Sequence, residues 1–437
     1  MAIAPPPQPP QAPPPTLPRP AITRAHGTPA PWVRRLMWIL LFIGIGVFIA
    51  LLVVDPQRLW TDYLAEFVFF SGLALDGVLF SAVTRGCNGR WARPLMPLAE
   101  GLSVVLPVTV LLYVPIMLAH RFIYPWWNHI PYGKGPWLNH WFLLGRDLGF
   151  WIVLAWFEVR YLYWSRRRDL GEIFDDPNHP LRARTTRLQR FVCRKWRGMA
   201  QEQPRIERSL GRLWVVIIFA YAYFYGILGL DMNMSLNAHW YDYIYDWYFW
   251  ICNWYAGIAL VCILACAWRS RMAVRDIINR DILHDAGEMM FAFAIFWTYL
   301  FWSQFMVQWF ANRQDNIHLL LLISRTQPWV TIAWMVLTLG FFLPFAFGLS
   351  RAFKRRGPTL VTIACFALAG MWLQENLLVM ASTWTRGFPP LLTSAGIACL
   401  FIGLYGLIYL WFMRQMPLFP VRDPALEQTL VASMPRH

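Results

Sequence analysis

The stretch HDAGEMMFAFAIFWTYLFWSQFMVQWFAN, residues 284–312, decides the class of fold. It is long enough to cross a bilayer core, which needs about 20 predominantly apolar residues. Yet it carries carboxylates, a tyrosine, a serine and amides that a purely lipid-embedded helix would not need. At 100° per residue Asp285, Glu288, Tyr299 and Ser303 fall within roughly a 60° sector, while Gln304, Gln308 and Asn312 line a different flank. One face of the helix is therefore polar almost from end to end. An ionisable group inside a membrane costs about 2.5 kcal/mol or more, so such groups face a protein interior or a water-lined path and mark function. The plainer alternative is a buried polar seam that holds neighbouring helices together.

The rest of the chain belongs to the same class. Its 437 residues are 57% hydrophobic, 17% aromatic and only 14% charged, the balance of an integral membrane protein. Apolar segments of spanning length lie at 36–54, 60–83, 96–119, 138–163, 212–232, 241–268, 285–311, 328–349, 358–382 and 390–413. The expected fold is an all-α integral membrane protein of ten transmembrane helices occupying 33–415. The first span follows Arg34 and Arg35 and has no small-residue cleavage site after it, so it reads as a retained anchor rather than a signal peptide.

Lys and Arg placement sets the orientation. Most of the 39 basic residues lie in the N-terminal tail, in the loops after spans 2, 4, 6 and 8, and in the C-terminal segment, which places both termini in the cytoplasm. The net charge of +15 is then a mark of topology and of contact with anionic lipid headgroups. Nucleic-acid binding would call for a soluble basic domain, and the sequence has none. Residues 1–32, with runs such as APPPQPPQAPPP, supply neither helix hydrogen bonds nor a core and read as a disordered cytoplasmic tail. Residues 416–437 read as a C-terminal cytoplasmic tail. The basic segment 165–212, with Arg166, Arg167, Arg168, Arg194, Lys195 and Arg197, reads as a solvated cytoplasmic loop near lipid headgroups, with subunit docking as the second option.

Redox ligands are sparse. The seven cysteines form no CxxC pair and no haem-attachment motif. His120, His140, His239 and His284 lie at helix ends, so none is deep enough to clamp a haem between two spans. Neither a metal site nor a cofactor of its own is expected in this chain.

Two further patterns concern organisation. Trp60, Asp62, Tyr63 and Glu66 open span 2, and Trp240, Asp242, Tyr243 and Asp246 open span 6 at the same offsets. A four-span repeat would place helices 2–5 and 6–9 as two related four-helix bundles flanked by helices 1 and 10, with Glu100 and Glu288 early in spans 3 and 7. By depth, Asp76, Glu100, Glu158, Asp285 and Glu288 lie towards the cytoplasm, and Glu66, Asp147, Asp231, Asp242, Asp246 and Glu375 towards the outside, with Arg146 between them. Buried carboxyls that hold and pass protons would make this two half-paths. The same distribution suits structural pairs, for example Arg146 with an acid on a neighbouring helix.

A resemblance adds to this reading. Asp285-x-Gly287, Ala292-Phe293, Trp297-x-Tyr299, Ser303-Gln304-Phe305, Trp309 and Asn312 resemble the signature of the NrfD-like membrane subunits of bacterial alternative complex III, in particular the second quinone-binding-type subunit, ActF. The likeness extends to Asp231, Ser235-Leu236 and His239-Trp240 before helix 6, and to Arg90-Trp91-x-Arg93-Pro94 with Ala99-Glu100 before and within helix 3. It also takes in Trp137-Leu138-Asn139 with Phe142 and Arg146 at helix 4, and Phe342-Leu343-Pro344-Phe345 with Arg351 and Lys354 at the end of helix 8. It implies a ten-helix subunit of a quinol:electron-acceptor oxidoreductase in the bacterial cytoplasmic membrane. Its partners would be a sister NrfD-like subunit, an iron–sulfur subunit and c-type cytochromes, which hold the haem c and the clusters, together with the quinol pool. In that family the quinol site is attributed to the sister subunit, and the subunit resembled here is discussed as a proton path. Candidate quinone contacts in this chain are Asp231, His239, Trp240 and Gln304. Glu288 stands where an amide or basic residue is expected, residues 312–315 lack paired glutamates, and Asp242 and Asp246 replace small polar residues, so the proton route does not transfer residue by residue.

Three readings follow: a respiratory-complex subunit supporting quinol oxidation and proton translocation, an independent proton-coupled secondary transporter, and a structural scaffold of a redox complex. Against the transporter, no pair of Gly/Pro-broken helices occupies matching places in the two halves.

Overall fold

The computed structural model describes residues 30–130, 133–179, 181–237, 240–270, 277–312, 314–383, 391–420, 423 and 426. The proline-rich run before residue 30 and the chain beyond residue 426 lie outside the described residues. Every element among the described residues is helical. The long helices, in chain order, are α1 Pro31–Val54, α2 Pro56–Gly86, α3 Met96–Ile123, α4 His140–Asp175, α5 Met199–Leu236, α6 Tyr245–Arg269, α7 Arg280–Ala311, α8 Trp329–Gly348, α9 Gly357–Thr383 and α10 Leu392–Met413. Among the described residues nine of them are long and apolar enough to cross a membrane; α4 is not in that set, because Arg146, Asp147 and Glu158 interrupt its apolar stretch.

Helix ends follow local chemistry. Asp55 caps α2 by accepting the Arg58 N–H at 3.0 Å, with Pro56 at the first helical residue, where its missing N–H costs nothing. Asn279 caps α7 through the N–H groups of Asp281 and Ile282. Asn312 ends α7 in the left-handed region, φ 44°, as helix C-termini often require.

α2 is the central helix. Its most apolar stretch is 89% buried, against 28% for α7 and 11% for α1, and it packs against α3, α5, α6, α9 and α10. α6 packs in turn on α7 and α9, α4 on α5, α8 on α9, and α1 along α10. Small residues allow the close crossings, as in membrane helix pairs generally. A Cβ on Gly403 of α10 would stand 2.5 Å from the Leu41 nitrogen of α1, and one on Gly257 of α6 would stand 2.4 Å from the Asp76 carboxylate of α2.

Three expectations about boundaries are corrected. Helix α3 is not continuous: Met96–Glu100 passes through a 3-10 turn, Leu102–Val105, into Leu106–Ile123. The segment 165–212 is not a solvated loop throughout, because α4 runs to Asp175 and α5 begins at Met199. Arg194, Lys195 and Arg197 are exposed as expected, but Arg166, Arg167 and Arg168 are buried because each finds a carboxylate. The C-terminal segment is not a free tail either. Met416, Leu418, Phe419, Asp423 and Leu426 are buried, and Asp423 pairs with Arg93 at 3.0 Å and Arg168 at 2.8 Å.

The sequence echo between spans 2 and 6 is not one of place. Asp62 and Glu66 lie inside α2 and are fully buried, whereas Asp242 precedes α6 and is half-buried. The break in α3 has no counterpart in α7, which is one unbroken helix over Arg280–Ala311.

Candidate functional site

Acidic side chains on α2 form the spine of the site. Asp62, Glu66 and Asp76 are at most 1% exposed and fall within roughly an 80° sector of the helix. Each meets polar groups from other helices. Asp62 pairs with Arg58 one turn earlier at 3.2 Å, and the Arg58 Nε also donates to Thr393 Oγ1 of α10 at 3.1 Å. Glu66 accepts from Trp372 Nε1 at 2.9 Å and from Asn376 Nδ2 at 3.2 Å, both on α9. Asp76 accepts from the Tyr221 hydroxyl at 3.1 Å. Tyr221 opens a π-helical turn, Tyr221–Tyr225, inside α5; such one-turn irregularities often sit at functional places.

Two neighbours complete the lower part. Glu158 of α4 is buried with neither oxygen in hydrogen-bond geometry, facing Ser103 and Asp76. Ser103 lies in the 3-10 break of α3, and its hydroxyl is inserted into the α2 ladder. It donates to the Ala74 carbonyl at 2.7 Å and accepts the Val78 N–H at 2.8 Å. That insertion accounts for the break, since the turn must approach α2 closely enough to replace a backbone hydrogen bond.

The upper part holds an ion-paired cluster. Arg146 of α4 donates through Nη2 and Nε to Asp231 of α5 at 2.6 and 3.0 Å. Trp137 Nε1 adds a third bond to Asp231 at 2.9 Å, and the guanidinium lies 4.1 Å from the Trp137 ring centroid. Asp147 packs beside Asp231 and accepts from the Tyr113 hydroxyl at 3.4 Å. Glu375 of α9 accepts from Asn233 Nδ2 at 2.7 Å. The structural-pair reading of Arg146 therefore has its partner, Asp231.

Other expected site residues are placed apart. Glu100 belongs to a network with Ser165 Oγ at 2.7 Å and with Arg166, which also meets Asp169 at 3.4 Å. Asp285 and Glu288 lie at the exposed rim of α7, 44% and 48% exposed in their side chains, against His284 and, for Glu288, Lys354 at 2.8 Å. Tyr299 is 63% exposed, and the Ser303 hydroxyl donates to the Tyr299 carbonyl of its own helix. The polar face of α7 thus looks outward rather than onto α2. Asp242 accepts from Gln308 Nε2 at 3.0 Å just before the N-terminal end of α6, and Asp246 accepts the N–H of Trp247. Of the quinone candidates, Trp240 is buried edge-on against Tyr245, Gln304 is buried on α7, and Asp231 is committed to Arg146. His239 lies outside the described residues.

Residues that sequence reasoning left out of the site are Asp62, Trp372, Asn376, Tyr221, Asn233, Tyr113 and Ser103. Asp62 had a visible signal, one turn before Glu66 on the same face; the others are donors whose relevance depends on which helix they meet. Cys193, between α4 and α5, is buried beside Arg167, and burial pushes its thiol up to about 12.

Compared with known proteins, the chain matches no family model and no curated protein.

Proposed function

We propose that this protein is a ten-span membrane subunit of a quinol-oxidising respiratory complex of the NrfD-like, alternative complex III kind, and that its buried carboxylates carry protons. The observation that carries the reading is the line of Asp62, Glu66 and Asp76 on the most buried helix, each facing polar groups from other helices. Carboxyls retained at depth in a membrane are costly and mark ion or proton pathways. Between Glu66 and Asp76 the line is interrupted over about 15 Å at 1.5 Å per residue, where Phe69 and Leu73 face the same way. The reading is therefore of two half-paths: an outer one through Asp62, Glu66, Glu375 and the Asp147–Asp231 pair, and an inner one through Asp76 and Glu158.

In this reading α4 also spans the membrane and completes the ten, with Asp147 and Glu158 buried in the bundle. The reading keeps two four-helix groups, 2–5 and 6–9, with α1 and α10 beside them; α2 packs with α3 and α5, and α6 with α7 and α9, while α2 also joins the two groups through α6 and α9. The chain resides in the bacterial cytoplasmic membrane with both termini inside. A sister NrfD-like subunit, an iron–sulfur subunit and c-type cytochromes take the electrons of quinol, while this chain exchanges protons.

Purification of the full chain from native membranes in mild detergent tests the assignment. Stoichiometric haem c and iron–sulfur subunits are the expected companions. A solitary protein that moves a solute against a gradient in vesicles would overturn it in favour of a transporter.

A further inference from the structure

Between α1 and α10 on one side and α2, α6 and α9 on the other lies an almost wholly apolar cleft of about 860 Å³. The volume is that of ligand pockets, which run to about 300–1,000 Å³, but the shape is elongated. Along α10 it reaches from Ala395 to Leu410, about 22 Å at 1.5 Å per residue, parallel to the helices. Helix α1 is held against α10 by small residues and closes the cleft only through its first turns, at Trp32, Val33, Leu36 and Met37. The opposite end stops at Ala395, Ala398 and Trp372.

The charge at the open end is one-sided. Arg34 and Arg35 flank the lining residues of α1, and Arg414 follows α10; all three are exposed, and no carboxylate among the described residues pairs with them. Trp32, an exposed amphipathic ring suited to the interfacial layer, stands at the same end with Ser270, and Trp268 lines the wall there with its N–H donated to the Tyr409 hydroxyl at 3.0 Å. A long apolar slot parallel to the helices, with Trp32 at its open end and exposed arginines on the adjoining turns of α1 and α10, fits one amphiphile: an anionic headgroup at the surface with its chains inside. Basic pockets between membrane helices bind such headgroups, each Lys or Arg near the surface contributing to attraction of anionic lipid. We propose that this cleft binds one anionic phospholipid of the leaflet that holds the N-terminal end of α1, its acyl chains between α10 and α6, and its phosphate at Arg34, Arg35 and Arg414. The lipid would complete the packing of α1, which the protein alone leaves mostly uncovered.

Native mass spectrometry of the purified full chain, titrated with dioleoylphosphatidylglycerol or dioleoylphosphatidylcholine, tests this. The expected result is one phosphatidylglycerol retained per chain in preference to phosphatidylcholine. The preference should fall about tenfold or more in the triple variant R34Q/R35Q/R414Q, whose substitutions are all on exposed residues. Ala369→Phe, which fills the slot, should lower retention of both lipids, with thermal unfolding checking its fold; if that variant does not fold, the arginine variant decides alone. Equal retention of the two lipids by the wild type, an unchanged preference in the triple variant, or displacement of phosphatidylglycerol by an equimolar long-chain quinone would overturn the proposal.

Discussion

The indole nitrogen of Trp372 on α9 stands 2.9 Å from both carboxylate oxygens of Glu66 on α2. Asn376, one turn further along α9, donates to the same carboxylate. Two donors from one helix thus hold a buried acid of another.

Replacing Trp372 by Phe keeps an aromatic ring and removes the N–H. The expected cost is about 1–3 kcal/mol, the range for leaving a buried acceptor without its donor, read from denaturant or thermal unfolding in detergent. Stability indistinguishable from wild type would mean that the bond is not formed.

The Arg146–Asp231 pair gives a larger effect with a defined rescue. Arg146→Met leaves Asp231 buried with only Trp137 as a donor, and breaking a buried ion pair on one side costs about 3–5 kcal/mol. The double variant R146M/D231L removes both charges and should recover most of that loss. A double variant as unstable as the single one would show that the arginine acts through its stacking on Trp137 and Phe142 instead.

The class of fold was legible because spanning length and apolar composition are local properties. Burial order was not. The polar face of residues 284–312 identifies a helix with an unusual face, but periodicity says nothing about which way that face turns, and α7 turns Tyr299 and Ser303 outward. Helix α2 carries equally telling acids at Asp62, Glu66 and Asp76, but their spacing alone does not show that α2 is the most buried helix. The arginines 166–168 misled for a related reason. A basic run reads as solvated until their partners are known, and those partners, Glu100, Glu202 and Asp423, are distant in sequence.

Arg167 and Glu202 supply a pH dependence with a definite sign. The arginine Nε and Nη2 lie 2.9 and 3.0 Å from the two glutamate oxygens, and the guanidinium holds the Glu202 carboxyl below the usual glutamate range. A depressed carboxyl contributes stability above its ordinary value of about 4.3, and that contribution is lost as pH falls through the lowered value. Thermal unfolding in detergent should therefore show a drop in wild-type stability on acidification below about pH 4. Glu202→Gln should be less stable at pH 7, by about 3 kcal/mol, and should show a shallower acid drop. Parallel acid profiles for the two proteins would refute the clamp.

The most direct measurement of the central claim is proton movement coupled to quinol oxidation in vesicles containing the assembled complex. Asp76→Asn, which keeps an acceptor for Tyr221, and Glu66→Gln should each leave haem and iron–sulfur content intact and slow coupled proton movement about tenfold or more, the scale of a lost proton-transfer group. Asp285→Asn, at the exposed rim of α7, should leave it unchanged. Wild-type proton movement in the D76N/E66Q double variant would contradict the account.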